Sequence, residues 1–166
     1  MNYKKVTRDQ IATYLNTTPS SDKTWNIVGV GVSELGQNYN PQVNTEKWII
    51  HKNATSSLES YQIQGDVSQK CYFGDPVFDF VNNLRRIAGV GSAVETQVLD
   101  IDLYDSTGEA PAITYKATEY DCIVVINSYA SGETPVIDYT IHYNGDPRLG
   151  TVSIADKKPT FTPDAN

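Results

Sequence analysis

Residues 74–89, Gly-Asp-Pro-Val-Phe-Asp-Phe-Val-Asn-Asn-Leu-Arg-Arg-Ile-Ala-Gly, carry a complete set of helix signals. Asp75 is placed to cap the N-terminus, Pro76 to start the first turn, and Asp79 to meet the positive end of the helix dipole. Arg85 and Arg86 suit the negative end, and Gly89 supplies the stop. Val77, Phe80, Val81, Leu84, Ile87 and Ala88 fall on one apolar stripe. A helix over about 76–88 spans about 20 Å, enough to cover one face of one sheet. The rest of the core has to come from strands.

Strand signals fill the remaining chain. Eleven Tyr stand against four Phe, among many Thr, Val and Ile. Trp25–Leu35 reads as a strand, with Gly29 and Gly31 marking a bulge or a close backbone approach, and it ends in the turn cluster Gly36–Pro41. Glu46–His51 is the next strand. Residues 53–73 hold few aliphatic side chains, so they read as a protruding loop or hairpin without a core of their own. After the helix, Val94–Asp105 alternates Leu99, Ile101 and Leu103 against Asp100 and Asp102. Ala112–Ile126 ends in the apolar run Cys122–Ile126, and Val136–Tyr143 alternates again. Gly145-Asp146-Pro147 is a turn, and Gly150–Ala155 a last short strand. The expected fold is mainly β, with one helix: an antiparallel sandwich or barrel with the helix packed on it. The expected organisation is an N-terminal arm over 1–23, a β domain over 24–155 and a tail over 156–166.

Charge and motif content remove several classes of function. The balance of 13 basic and 20 acidic residues is −7, and no basic run exceeds two residues, so the footprint of a phosphate-gripping protein is missing. No apolar run reaches membrane-spanning length, and no apolar stretch follows Lys4 and Lys5 as a secretion signal needs. Cys71 and Cys122 lack metal spacing and read as free thiols; His51 and His142 sit singly in strands. Gly29-Val-Gly31 and Gly89-Val-Gly91 lack the third glycine of a dinucleotide loop. No nucleophile elbow or triad pattern is present. The expectation is a protein with no catalytic residues, no cofactor and no metal.

Asp100, Asp102 and Asp138 alternate with the apolar rows and should occupy the opposite strand faces. They read either as a solvated outer face or as a surface that avoids polyanions. Scattered tyrosines also allow a carbohydrate-binding β-sandwich, though such a module would normally carry a secretion signal.

Taken in order, these pieces resemble a family. Trp25-x-Ile27-Val28-Gly29-x-Gly31-Val32 with its Asn/Pro turn is similar to the start of the major tail tube proteins of long-tailed bacteriophages. Gly74–Asp79 opening a helix that ends in Leu84-Arg85-Arg86 resembles that family's single helix. Gly145-Asp146-Pro147-x-x-Gly150-Thr151-Val152, closed by Thr160–Pro163, resembles its C-terminal end. Related tubes occur in contractile tails and in phage-derived bacteriocins.

The resemblance implies a β-sandwich protomer that forms hexameric rings. The rings stack into a hollow virion tail tube, assembled in the host cytoplasm. The partners it implies are further copies of the chain and the tape measure, tail terminator and distal tail proteins. DNA would pass through the bore without specific binding, and no membrane is involved. Six copies would carry 6 × −7 = −42 per ring. On this reading the candidates for a like-charged lumen are Glu59, Asp66, Asp100, Asp102 and Asp138. Those for contacts between rings are Leu58, Tyr61, Ile63, Tyr72 and Phe73, and those for charge contacts between subunits are Arg85 and Arg86.

Overall fold

Ten strands account for most of the chain, and eight of them join in one antiparallel sheet. A computed structural model, which describes residues 3–130 and 133–165, gives them as β1 (Ile11–Asn16), β2 (Trp25–Ile27), β3 (Val32–Asn38), β4 (Pro41–Glu46), β5 (Thr55–Tyr61), β6 (Gln64–Lys70), β7 (Glu95–Thr107), β8 (Thr114–Ala130), β9 (Val136–Ala155) and β10 (Lys158–Pro163). The sheet runs β2-β1-β7-β8-β9-β6-β3, with β10 paired to the distal half of β9. It curls into a half-barrel, so the mainly β class with one helix holds. A single curled sheet takes the place of two facing ones. β4 and β5 pair only with each other.

The helix α1 (Pro76–Ile87) forms where its signals place it. Asp75 is extended, and its carboxylate accepts the Phe78 amide at 2.9 Å. The stop differs by one residue. Ala88, not Gly89, adopts the left-handed conformation at φ 47°, and the Gly89 amide donates to the Leu84 carbonyl at 3.1 Å. The buried face also turns toward Phe78: Val77, Phe78, Val81 and Leu84 are buried, whereas Ile87 is 57% exposed.

Period-two alternation gives the sheet two apolar faces. Under α1 lie Leu15, Val67, Val98, Cys122, Val124, Ile137, Tyr139 and Ile141. At the other end and on the opposite face, Ala12, Tyr14, Leu99, Ile101, Ala117 and Val152 pack together, with Trp25 and Phe161 closing over them.

Several expected boundaries move. The N-terminal arm contains β1, a strand between β2 and β7 with five of its six residues buried. The C-terminal tail contains β10, which holds register with β9 from Lys158 to Pro163. Met1, Asn2 and Asn166, the ends of that arm and tail, lie outside the described residues. The expected strand Trp25–Leu35 is broken by a turn at 28–31 into β2 and β3. Gly31 turns there at φ 76°, where an added Cβ would lie 2.6 Å from the Lys70 carbonyl oxygen. Residues 47–51, expected to continue a strand, form the tip between β4 and β5. The protrusion therefore spans 41–61, not 53–73, and 64–70 is a full member of the sheet between β9 and β3.

Candidate functional site

The hairpin β4–β5 is the part of the molecule least explained by its own fold. None of the residues of either strand is buried. Two strands alone are marginal in water, because one ladder and one thin face cannot offset the entropy of ordering them. At the root, the Tyr39 and Tyr61 rings meet edge to face at 5.5 Å. Beside them the Asn40 side-chain amide donates to the Gln62 carbonyl at 3.0 Å. At the tip, the His51 amide donates to the Trp48 carbonyl at 2.9 Å, and the two rings stack with centroids 6.0 Å apart. Trp48 is 62%, Ile49 102% and Ile50 78% exposed. Three consecutive apolar side chains in water make this tip the candidate interaction surface. Their lack of alternation, between Lys47 and His51-Lys52, was the signal in the sequence that a half-buried strand does not fit.

The residues expected to make contacts between rings separate into two places. Leu58 and Tyr61 are exposed on β5, and Ile63 is half-buried at the hairpin root, where its carbonyl accepts the Tyr143 amide at 3.0 Å. Tyr72 and Phe73 are exposed at the start of α1, off the hairpin.

The five acidic candidates do not share a surface. Asp66 and Asp138 lie on the sheet face opposite α1, because they alternate with Val67, Ile137 and Tyr139 beneath the helix. Thr140 donates to Asp66 at 2.7 Å and Ser128 to Asp138 at 2.6 Å. The bonds from Ser128 and Ser68 hold the Asp138 carboxyl below its ordinary range, so it stays charged. Asp100 and Asp102 share the face of Val98 instead. Asp100 is not a solvated wall residue: its carboxylate accepts Thr13 Oγ1 at 2.7 Å and Gln37 Nε2 at 2.6 Å, and burial pushes its pKa up. Alternation put Asp100 on the correct face, but β3 curls over that face. Asp102 is half-buried near Tyr104 and Lys116. Glu59 is exposed on β5.

Glu34, Asp66 and Asp138 border a groove of about 520 Å³ on the face away from α1, with Ser33, Ser68 and Asn127 beside them. Among the described residues no basic side chain forms an ion pair with these three carboxylates. The same residues offer no group of three ligands fit for a metal ion.

Arg85 is half-buried and Tyr129 beside it is exposed. Its guanidinium lies 4.1 Å from the centre of the Tyr129 ring and donates to Asn82 at 2.9 Å, while Arg86 is exposed. A charge cluster that the sequence did not reveal sits beside the second apolar core. Buried Glu119 pairs with Lys23 and, at 3.3 Å, with Arg148, which grips Asp121 through two bonds of 3.0 Å. Cys122 is buried, and desolvation pushes its thiol pKa up; Cys71 is half-buried, and both are free.

No family model matches the chain, and no curated protein does. Among solved structures, it is similar to a chain of the anti-feeding prophage (AFP) baseplate, determined by cryo-EM with six-fold symmetrisation. The identity is 9% over 90% of this chain and 97% of that chain, with a TM-score of 0.48.

Proposed function

We propose that this chain is a structural subunit of a bacteriophage tail or tail-derived particle, and that its copies close into rings that stack as a hollow tube. The observation that carries the reading is the β4–β5 hairpin, which has an apolar tip and no buried residue in its own subunit. Such a hairpin gains its stability from another molecule. The ordered motifs that resemble tail tube proteins make that molecule a second copy.

A knob that fits a different patch on the next copy makes a heterologous contact, which closes into rings or propagates as filaments. The charge of −7 suits a conduit for DNA, because a like-charged wall does not bind a duplex carrying one charge per about 1.7 Å of axis. Asp66 and Asp138, on an accessible face, suit that wall better than Asp100, which is spent inside the fold.

Negative-stain microscopy of the concentrated protein, with light scattering across a dilution series, tests the proposal. Rings or tubes with a central channel are expected. A monomer that persists at millimolar concentration in every buffer overturns it.

A further inference from the structure

Asn144 is the one asparagine in the chain that glycine follows, in the run Asn144-Gly145-Asp146-Pro147. This dipeptide sits where β9 parts from its neighbours. Asn144 pairs with Asp121 of β8, and the next rung joins Arg148 to Glu119, so residues 145–147 bulge out opposite Tyr120 alone. On the other side, the Tyr143 amide donates to the Ile63 carbonyl, and the pairing with β6 goes no further. Residues 144–147 are exposed. Gly145 turns at φ 69°, and a Cβ added to it would meet no atom within 4 Å. Other asparagines are held. Asn16 is buried and bonded to Gln97, Asn127 donates to Thr140, and Asn82 accepts Arg85 within α1. Asn40 precedes Pro41, whose nitrogen carries no proton. Among the described residues no hydrogen bond engages the side-chain amide of Asn144.

We propose that Asn144 is a site of spontaneous deamidation and backbone rearrangement in the folded protein. The Gly145 backbone nitrogen attacks Asn144 Cγ. The N–Cγ bond forms, the Cγ–Nδ2 bond breaks, and ammonia leaves with the proton that the Gly145 amide gave up. Water then opens the cyclic imide. Attack at Cγ leaves aspartate; attack at the Asn144 backbone carbonyl carbon leaves isoaspartate, whose chain runs through Cβ and Cγ. The sum is asparagine and water giving a carboxylate and ammonia. Glycine favours the first step because no side chain shields its nitrogen and its backbone turns freely. The bulge adds to this, because no rung of the ladder fixes the Gly145 peptide.

The product changes the charge cluster beside it. Asn144 and Asp121 stand opposite each other on one sheet face, and Arg148 grips Asp121 through two bonds of 3.0 Å while reaching Glu119. A carboxylate at 144 places a like charge next to Asp121 and competes with it for Arg148. Isoaspartate also lengthens the backbone where β9 passes from the half paired with β6 to the half that carries β10.

Incubation of the full-length protein at neutral and mildly alkaline pH, followed by peptide mass spectrometry, tests the proposal. The peptide containing residue 144 should gain the mass of an amide-to-acid exchange and split into two chromatographic forms. An isoaspartyl-specific methyltransferase should label one of them. Conversion should rise with pH, because Gly145 must lose its amide proton. It should outpace conversion at Asn53, which is exposed before β5 and followed by Ala54, on the order of tenfold. Gly145→Ala shields the nitrogen and Asn144→Gln lengthens the reacting arm; each should slow conversion at 144 on the order of tenfold and leave Asn53 unchanged. Alanine is strained at φ 69°, so Asn144→Gln, at an exposed position, carries the test if the first variant does not fold. If Asn144 stays intact in the folded protein yet converts in urea, the ladder protects it and the proposal is overturned. Conversion of Asn53 ahead of Asn144 overturns it too.

Discussion

Gln37 Nε2 lies 2.6 Å from Asp100 Oδ2, although β3 and β7 stand four strands apart in the sheet order. Only a curled sheet brings those strands together. The same carboxylate accepts Thr13 from β1, and Gln37 also donates to the Tyr143 hydroxyl at 3.1 Å. One acidic group thus ties the free edge of the half-barrel across its mouth, just before the chain enters the projecting hairpin.

That tie has a pH signature. Burial raises the Asp100 pKa in the folded state, so the folded protein holds this proton more tightly than the unfolded chain does. Its contribution is fully present below the ordinary carboxylate pKa and is lost as pH rises through the raised one. Asp100→Asn stays neutral throughout and should remove that decline. Thermal melts of both proteins across the acid range should converge at low pH and separate as pH rises. Parallel curves would mean the carboxylate is solvated.

The turned face of α1 separates two residues that the stripe in the sequence treats alike. Leu84 is buried and Ile87 is 57% exposed. Leu84→Ala should cost about 2–5 kcal/mol through lost transfer energy and a residual cavity. Ile87→Ala should stay within about 0.5 kcal/mol. Urea denaturation of the two variants measures the contrast, and equal losses would place Ile87 in the core.

The helix itself was legible because its signals are local: Asp75, Pro76 and the basic last turn act within a few residues of one another. The face of Asp100 was legible too, because alternation is a property of one strand. What lay above that face was not, since the cover comes from β3. β1 is hidden in the sequence for a related reason. Thr13, Tyr14, Leu15 and Asn16 are all buried, half on each face, so the inside-outside alternation that reveals a strand is absent. At the hairpin tip, Trp48, Ile49 and Ile50 have high strand propensity, which a turn of this kind overrides.

The Asp75 cap does more than start a helix. Its carboxylate accepts the Phe78 amide and also buried Gln69 Nε2, each at 2.9 Å, joining α1 to β6. Asp75→Ala should therefore exceed an ordinary cap loss, reaching about 2 kcal/mol or slightly more, because Gln69 loses a buried acceptor. Both bonds end on Asp75 Oδ2, so Asp75→Asn can keep them through its one carbonyl oxygen and should recover most of the loss. Chemical denaturation of the pair measures what the shared acceptor is worth.

Hydrogen exchange should divide the chain differently from a division into domain and termini. Amides of 11–16 and 158–163 belong to the sheet and should be protected in the free subunit. Those of 41–61 should exchange rapidly there and become protected on assembly. Slow exchange of the hairpin in a verified monomer would show that it is stable alone.

Gly150 controls the one strand that the C-terminal segment adds. It is buried, and it pairs with Ala117 of β8 on one side and Pro163 of β10 on the other. A Cβ at this position would strike the Thr162 carbonyl oxygen and lie 2.7 Å from the Phe161 ring. The carbonyl cannot rotate away without breaking the β9–β10 ladder, and Phe161 packs against the second apolar core. Gly150→Ala should therefore displace β10 and cost about 1–3 kcal/mol, the range of an overpacked site. Proteases should then cut within 156–163, while the core beneath α1, on the opposite face, keeps its exchange protection. A variant that melts with wild type and keeps its C-terminal segment uncut would show that β10 accommodates the methyl group.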